Sequence, residues 1–247
     1  MSGNNVTGFI TVRTNSTRLP KKCLLSFGES TVLNHIIRRA ASYGIEPVVC
    51  TSVSKGDDII EDIAIKEGVK CYRGSLDNKL QRWLDCANHF NIDRFHTIDA
   101  DDPFFDGNEM KDSMKMLQEE DVDMITPTES SSAGGASVGY SLMTDIVKRA
   151  CKDLDRDTDT EMMWYYIYKV PNLKTIKLPE TRKNISNMRL TLDYEEDYWL
   201  LESIRRILGN LASRDEVDQL FLSNPDMYKI NWFKNEEWKA GQLAKKI

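Results

Sequence analysis

The 247-residue sequence has only 7 prolines and 13 glycines, and its 5 cysteines are scattered with no CxxC pair. So little proline and glycine, with aromatics throughout, excludes a collagen-like repeat and wholesale disorder. An odd set of isolated cysteines offers no disulfide framework. Cys23, Cys50, Cys71, Cys86 and Cys151 read as buried free thiols of a reducing compartment. Long apolar runs are missing too: none approaches the ~18 residues of a membrane span, and no early stretch has signal-peptide flanks. No membrane association and a cytoplasmic location are therefore expected. Excess positive charge is also absent. With 33 basic against 39 acidic residues the net charge is −6, which argues against nucleic acid as a partner. The three histidines, His35, His89 and His96, show no ligand or triad spacing and read as structural. Neither GxxxxGKS/T nor GxGxxG occurs, which disfavours a P-loop ATPase and a typical NAD enzyme.

What is present is a globule with 40% hydrophobic and 29% charged residues. Apolar runs at Val6–Val12, Pro47–Thr51, Lys70–Arg73, Arg94–Ile98 and Asp123–Pro127 predict strands. Between them, 3.6-residue periodicity predicts helices over Thr31–Tyr43, Asp57–Glu67, Asp77–Phe90 and Asn108–Glu119. This βαβαβαβαβ pattern is that of an α/β protein with an open, mostly parallel sheet covered by helices on both faces. The second half predicts a loop at Glu129–Gly139, a helix over Ser141–Leu154, strands at Leu173–Leu178 and Met188–Leu192, and helices over Glu196–Leu208 and Arg214–Leu222. The tail is polar, with Trp232 and Trp238 as anchors. One α/β domain, 1–247, with a small insertion around 129–187, is expected.

Ligands of such sheets bind beyond the carboxyl ends of the strands. The loop after the first strand, RTNSTRLPKK, places Arg13, Arg18, Lys21 and Lys22 within ten residues. Ser16 and Thr17 add hydroxyl donors, and the loop amides can form a nest, so the segment reads as an anion site. Another strand ends in Asp99-Ala-Asp101-Asp102-Pro103, a set of hard oxygen ligands suited to Mg²⁺. Asp193, in LTLDYEED, also precedes a helix. Either acidic segment could instead cap the helix that follows it. A cationic loop for a triphosphate and carboxylates for a metal together imply nucleotidyl transfer, which needs alignment and charge stabilisation rather than covalent catalysis.

RTNSTRLPKK resembles the nucleotide-binding signature of the spore coat polysaccharide cytidylyltransferase-like family, relatives of the CMP-3-deoxy-manno-octulosonate and CMP-sialic acid synthetases. RGSLDNKLQRW resembles its RGSxDDxLxRY segment, DADDP its TGDCP strand end, and RLTLDYEED its RLTxDxxxD segment. The likeness spans essentially the whole chain. It implies a nucleotide-diphospho-sugar transferase-like fold and transfer of CMP from CTP to a sugar or sugar acid, with release of pyrophosphate, for a surface glycan. Alternatives are a sugar-1-phosphate nucleotidyltransferase using another NTP, or a non-catalytic nucleotide-binding homologue. By this resemblance Arg13, Lys22 and Asp101 are catalytic, and Arg13, Ser16, Thr17, Arg18, Lys22, Thr51, Ser52 and Asp99 bind the nucleotide. Arg73, Ser75, Arg82 and Arg189 would lie on the acceptor side, Asp101 and Asp193 would hold Mg²⁺, and the chain would form a homodimer. The sequence departs from the family where a glycine is usual at Lys21 and a glutamate is usual near Gly139. A Glu-His pair is replaced by Glu161-Met162.

Overall fold

Phe9 and Ile10 are both fully buried, on opposite sides of one strand. Phe9 packs with Val48, Leu80, Trp83 and Phe95, and Ile10 with Leu33, Ile36, Val49, Ile98 and Leu200. A strand apolar on both faces belongs at the centre of a covered parallel sheet.

The computed structural model describes residues 6–132, 136, 138–182 and 187–244. The first half contains β1 (Val6–Thr11), a small hairpin of β2 (Ser26–Phe27) and β3 (Ser30–Thr31), α1 (Val32–Ser42), β4 (Ile45–Ser52), α2 (Asp58–Lys66) and β5 (Lys70–Gly74). Next come α3 (Lys79–Phe90), β6 (Arg94–Asp99), α4 (Gly107–Glu119), β7 (Met124–Thr126), α5 (Glu129–Ser132), β8 (Ser141–Met143) and α6 (Thr144–Cys151). The chain continues with α7 (Met163–Ile167), β9 (Thr175–Lys177), α8 (Glu195–Leu208), α9 (Arg214–Ser223) and α10 (Asn235–Ala244).

The main sheet has seven strands in the order β5-β4-β1-β6-β8-β7-β9. β5, β4, β1 and β6 run parallel, β8 is antiparallel to both its neighbours, and β9 is parallel to β7. Helices α1, α2, α4, α8 and α9 contribute to the core on one face, and α3, α6 and α7 to that on the other. The chain winds outward from β1 through β4 to β5, then returns to β6 on the other side of β1. The crevice at the carboxyl ends of β1 and β6 is therefore the topological switch point.

Several local expectations are corrected. The predicted helix over 141–154 begins with a strand: Ser141 and Leu142 pair with His96 and Phe95, which seats Leu142 in the core. Met188–Leu192 is not a strand. Met188, Leu190 and Leu192 alternate with polar residues in the sequence, which gives the period-2 pattern, but all five residues are buried and no ladder forms. The segment 129–139 opens with α5, while 133–135 and 137 lie outside the described residues. The polar tail carries α10. Among the described residues no helix is long and apolar enough to cross a membrane.

Candidate active site

The cationic loop leaves β1 at the switch point and is pinned at its root by Asp57. Asp57 Oδ1 accepts from the Thr14 amide at 2.8 Å and from Thr14 Oγ1 at 2.7 Å, and Ser52 Oγ donates to Asp57 Oδ2. Burial alone would raise the Asp57 pKa, but the bonds from Ser52 and Thr14 bring it below its usual value. The loop ends by turning through Lys21, which holds φ +54°, ψ +30°. This is the position where the resembled family uses glycine, and the left-handed conformation is what glycine supplies.

That turn delivers Lys22 to the carboxylates. Lys22 Nζ donates to Asp101 Oδ2 at 2.7 Å, to the Leu192 carbonyl at 2.8 Å and to Asp193 Oδ1 at 2.9 Å. Arg18 Nη2 donates to the same Asp193 oxygen at 2.7 Å. The Leu192 amide donates to the Asp101 carbonyl at 2.7 Å, so the two acidic segments are joined directly through the backbone. Burial lowers the Lys22 pKa, and Asp101 and Asp193 more than reverse that, so the ammonium is held charged. Burial would likewise raise Asp193, but Lys22 and Arg18 overrule it and its pKa is lowered.

Neither carboxylate is spent on a cap. Helix α4 is capped by Asp106, which accepts from the Asn108 and Glu109 amides at 2.9 and 3.4 Å. Helix α8 is capped at Tyr194 with Asp197 closing the box. Asp101 and Asp193 thus converge on one cation for no local backbone reason. Among the described residues no three His, Cys, Asp or Glu side chains cluster as a complete ligand set. Two converging carboxylates fit Mg²⁺, which takes one or two protein carboxylates and fills its shell with water and phosphate oxygens.

Around this centre, Asp99 ends β6, half-buried. Burial pushes its carboxyl up to about 6 against the pull of Lys79, with Asp101 adding to the rise. Burial raises Asp102 further, helped by Asp101 and Asp99. Arg13 Nη1 donates to the Leu76 carbonyl at 2.7 Å, and its Nη2 pairs with Glu161 at 2.9 Å. Ser16 is half-buried and Thr17 exposed on the loop.

The remaining predicted residues are more enclosed. Thr51 and Ser52 are fully buried at the end of β4. Arg189, with no exposure, binds Asp197 through bonds of 2.8 and 3.0 Å and reaches Asp193 at 3.5 Å, so it supports the Asp193 carboxylate from behind. Arg82 is fully buried and donates to the carbonyls of Ser75 and Leu76 at 2.6 and 3.3 Å. Ser75 Oγ accepts from the Asn78 amide at 3.0 Å, at the start of α3. Arg73 faces α2, paired with Asp58 at 2.7 Å and Glu61 at 2.9 Å. Arg18, Lys22, Asp101 and Asp193 are therefore brought together, with Arg189 behind them, while Arg13 is engaged with Leu76 and Glu161 and Arg73 with α2.

Lys79 was not among the residues that the sequence singled out. It is buried in the first turn of α3, 3.8 Å from Glu161 and over the Trp83 ring. A cation there opposes the helix dipole, and that misplacement is the signal that could have found it.

Three comparisons bear on this geometry. A family model described as cytidylyltransferase matches residues 7–228. The chain is 28% identical to the spore coat polysaccharide biosynthesis protein SpsF of Bacillus subtilis, over 90% of this chain and 96% of the relative. A cytidylyltransferase from Leptospira borgpetersenii superposes with a TM-score of 0.80 at 27% identity, covering 91% of this chain and 96% of the other. CMP:2-keto-3-deoxy-manno-octonic acid synthetase, solved in complex with CTP, shares the fold with a TM-score of 0.61 at 14% identity, covering 83% and 99%. The family model spans most of the chain, and the fold agrees with it: the chain belongs to the cytidylyltransferase family of nucleotidyltransferases.

Proposed function

We propose that the protein transfers CMP from CTP to a sugar or sugar acid, releasing pyrophosphate, with Mg²⁺ at Asp101 and Asp193. The observation that carries this is that Arg18, Lys22, Asp101 and Asp193 are joined in one hydrogen-bonded cluster at the switch point, Arg18 to Asp193 and Lys22 to both carboxylates. Arg13, Arg18 and Lys22 hold the triphosphate and neutralise the charge that grows on the leaving pyrophosphate. Bound Mg²⁺ supplies Lewis-acid polarisation of phosphoryl oxygens there. The acceptor oxygen is aligned by the fixed walls of the cleft, and no covalent enzyme intermediate is needed. SpsF is named for spore coat polysaccharide biosynthesis, and a surface glycan is the destination we assign to the product. We also assign a homodimer in the cytoplasm.

The test is thermal shift with CTP, GTP, UTP and ATP, each with and without Mg²⁺. A ligand at 100 times its Kd adds about 2.7 kcal/mol of stability. A CTP-selective, Mg²⁺-strengthened shift, followed by pyrophosphate release with candidate sugars, is the expected result. Preference for another base would redirect the activity to another NTP. No shift with any nucleotide would overturn the reading.

A further inference from the structure

The segment from Asn231 to Gly241 lies beyond the stretch matched by the family model, yet it packs on the phosphate end of the site. Asn231, fully buried, donates through Nδ2 to the Arg189 carbonyl at 3.0 Å and to Asp197 Oδ1 at 2.9 Å. Lys234 Nζ lies 5.0 Å from the centre of the Tyr194 ring, and the Arg18 guanidinium lies 5.5 Å from the same ring. Trp238, on α10, places its ring 5.3 Å from the Arg189 guanidinium. One turn further on, α10 passes beside Arg18 itself. A Cβ at Gly241 would stand 3.7 Å from Arg18 Nη1, with no other neighbour within 4 Å among the described residues.

Arg18 thus has two flanks. Its Nη2 is bound to Asp193, and its Nη1 is turned toward the backbone of α10. We propose that α10 forms the outer wall of the triphosphate site and that residue 241 sets the charge met by the phosphates that Arg18 holds. This rests on the assignment of Arg18 as a phosphate ligand. Glycine is a poor helix-interior residue, and here it adds no side chain of its own beside the Arg18 guanidinium, which already bonds Asp193 and Tyr194. An acidic side chain at 241 would pair with Arg18 in place of phosphate, and a basic one would add a second cation.

The experiment compares full-length Gly241→Asp and Gly241→Lys with wild type, with Lys239→Gln as a control. Lys239 is exposed, paired with Glu236, and two residues away on a helix, so its substitution changes the charge of α10 on another face. Both substitutions at 241 replace glycine with a better helix former, which favours folding, and melting curves check it. The readouts are kcat, KM for CTP and inhibition by pyrophosphate, at about 0.05 and 0.5 M salt. Gly241→Asp is expected to raise KM and weaken pyrophosphate inhibition about tenfold, and Gly241→Lys to strengthen inhibition about threefold, both converging at high salt. Lys239→Gln should match wild type. If the two variants at 241 agree within about twofold while wild type binds CTP, α10 is not a wall of the site. If wild type binds neither CTP nor pyrophosphate, the assignment of Arg18 fails first.

Discussion

Gly139 approaches Thr97 so closely that a Cβ on it would fall 2.0 Å from the Thr97 carbonyl oxygen, and its φ is +85°. Thr97 lies two residues before Asp99 on β6, and its amide donates to the Tyr140 carbonyl at 2.8 Å. The chain near 139 is thus clamped onto the strand that presents the acidic turn. A glutamate, usual near this point in the resembled family, could not occupy position 139 without separating them.

Gly139→Ala should accordingly be severe. The collision is with backbone, so it cannot be relieved by rotating a side chain, and the positive φ adds strain. We expect a loss of about 2–4 kcal/mol in urea unfolding. Turnover should fall in the molecules that remain folded, because the end of β6 moves. An unchanged urea midpoint would contradict the packing.

Lys21→Gly tests the opposite case. Lys21 holds a left-handed conformation that costs an L-residue roughly 1–2 kcal/mol. Glycine removes that cost but brings more unfolded-chain entropy, so a net gain of about 0.5–1 kcal/mol is expected. Nucleotide affinity should change less than about threefold, since Lys22 keeps its place between the carboxylates. A fall in stability would mean that the Lys21 side chain makes a compensating interaction.

These two positions also show what the sequence could reveal. The cationic loop and the acidic strand end were legible because each follows an apolar run, where open sheets bind ligands. That Asp101 and Asp193 meet was not legible as local pattern. Lys22 and a single backbone bond from Leu192 to Asp101 join them, and neither leaves a periodic trace. β8 was hidden because its three residues run straight into the periodicity of α6. Arg189 and Arg82 were readable as arginines, but not as buried ones: Arg189 bonds Asp197 and Arg82 bonds the Ser75 and Leu76 carbonyls, while Arg189 Nη1 and Arg82 Nε and Nη2 have no partner among the described residues.

Asp101→Asn separates chemistry from stability. Its side chain is partly exposed, and Lys22 retains Asp193 and the Leu192 carbonyl, so the fold should lose no more than about 1 kcal/mol. Turnover should drop at least about a hundredfold, since an amide is a poor ligand for a hard cation. Normal pyrophosphate release from a well-folded Asp101→Asn variant would remove Asp101 from the mechanism.

Arg13→Ala should weaken nucleotide binding instead. The charged bonds it would make to phosphate are worth about 1.5–3 kcal/mol, which is about 10–100-fold in Kd. Its present partners, the Leu76 carbonyl and Glu161, are near the surface of the cleft, so melting should change little. Calorimetric titration with CTP decides it: unchanged affinity would mean that Arg13 serves only to hold Glu161.

The buried histidines predict how stability responds to acid. His96 donates from Nε2 to the Val138 carbonyl and accepts at Nδ1 from Ser141 Oγ at 2.8 Å. Burial lowers its pKa from 6.5 to about 4, against the opposing effect of the Val138 bond. Burial lowers His35 to about 4 as well, against its bond to the Pro103 carbonyl, with Arg39 nearby adding to the fall. Between pH 6.5 and 4 the unfolded chain therefore holds protons that the folded chain does not. Each histidine's contribution is complete above about 6.5 and lost as pH falls through this window, at about 3 kcal/mol apiece. Asp99 and Asp102, whose carboxyls burial raises, act in the opposite sense, so the wild-type profile mixes the two. The difference between wild type and His96→Gln isolates the imidazole. The substituted amide cannot titrate, so the stability advantage of wild type should shrink by about 3 kcal/mol from pH 7 to pH 4. A difference that stays constant across that range would mean that His96 is protonated in the fold.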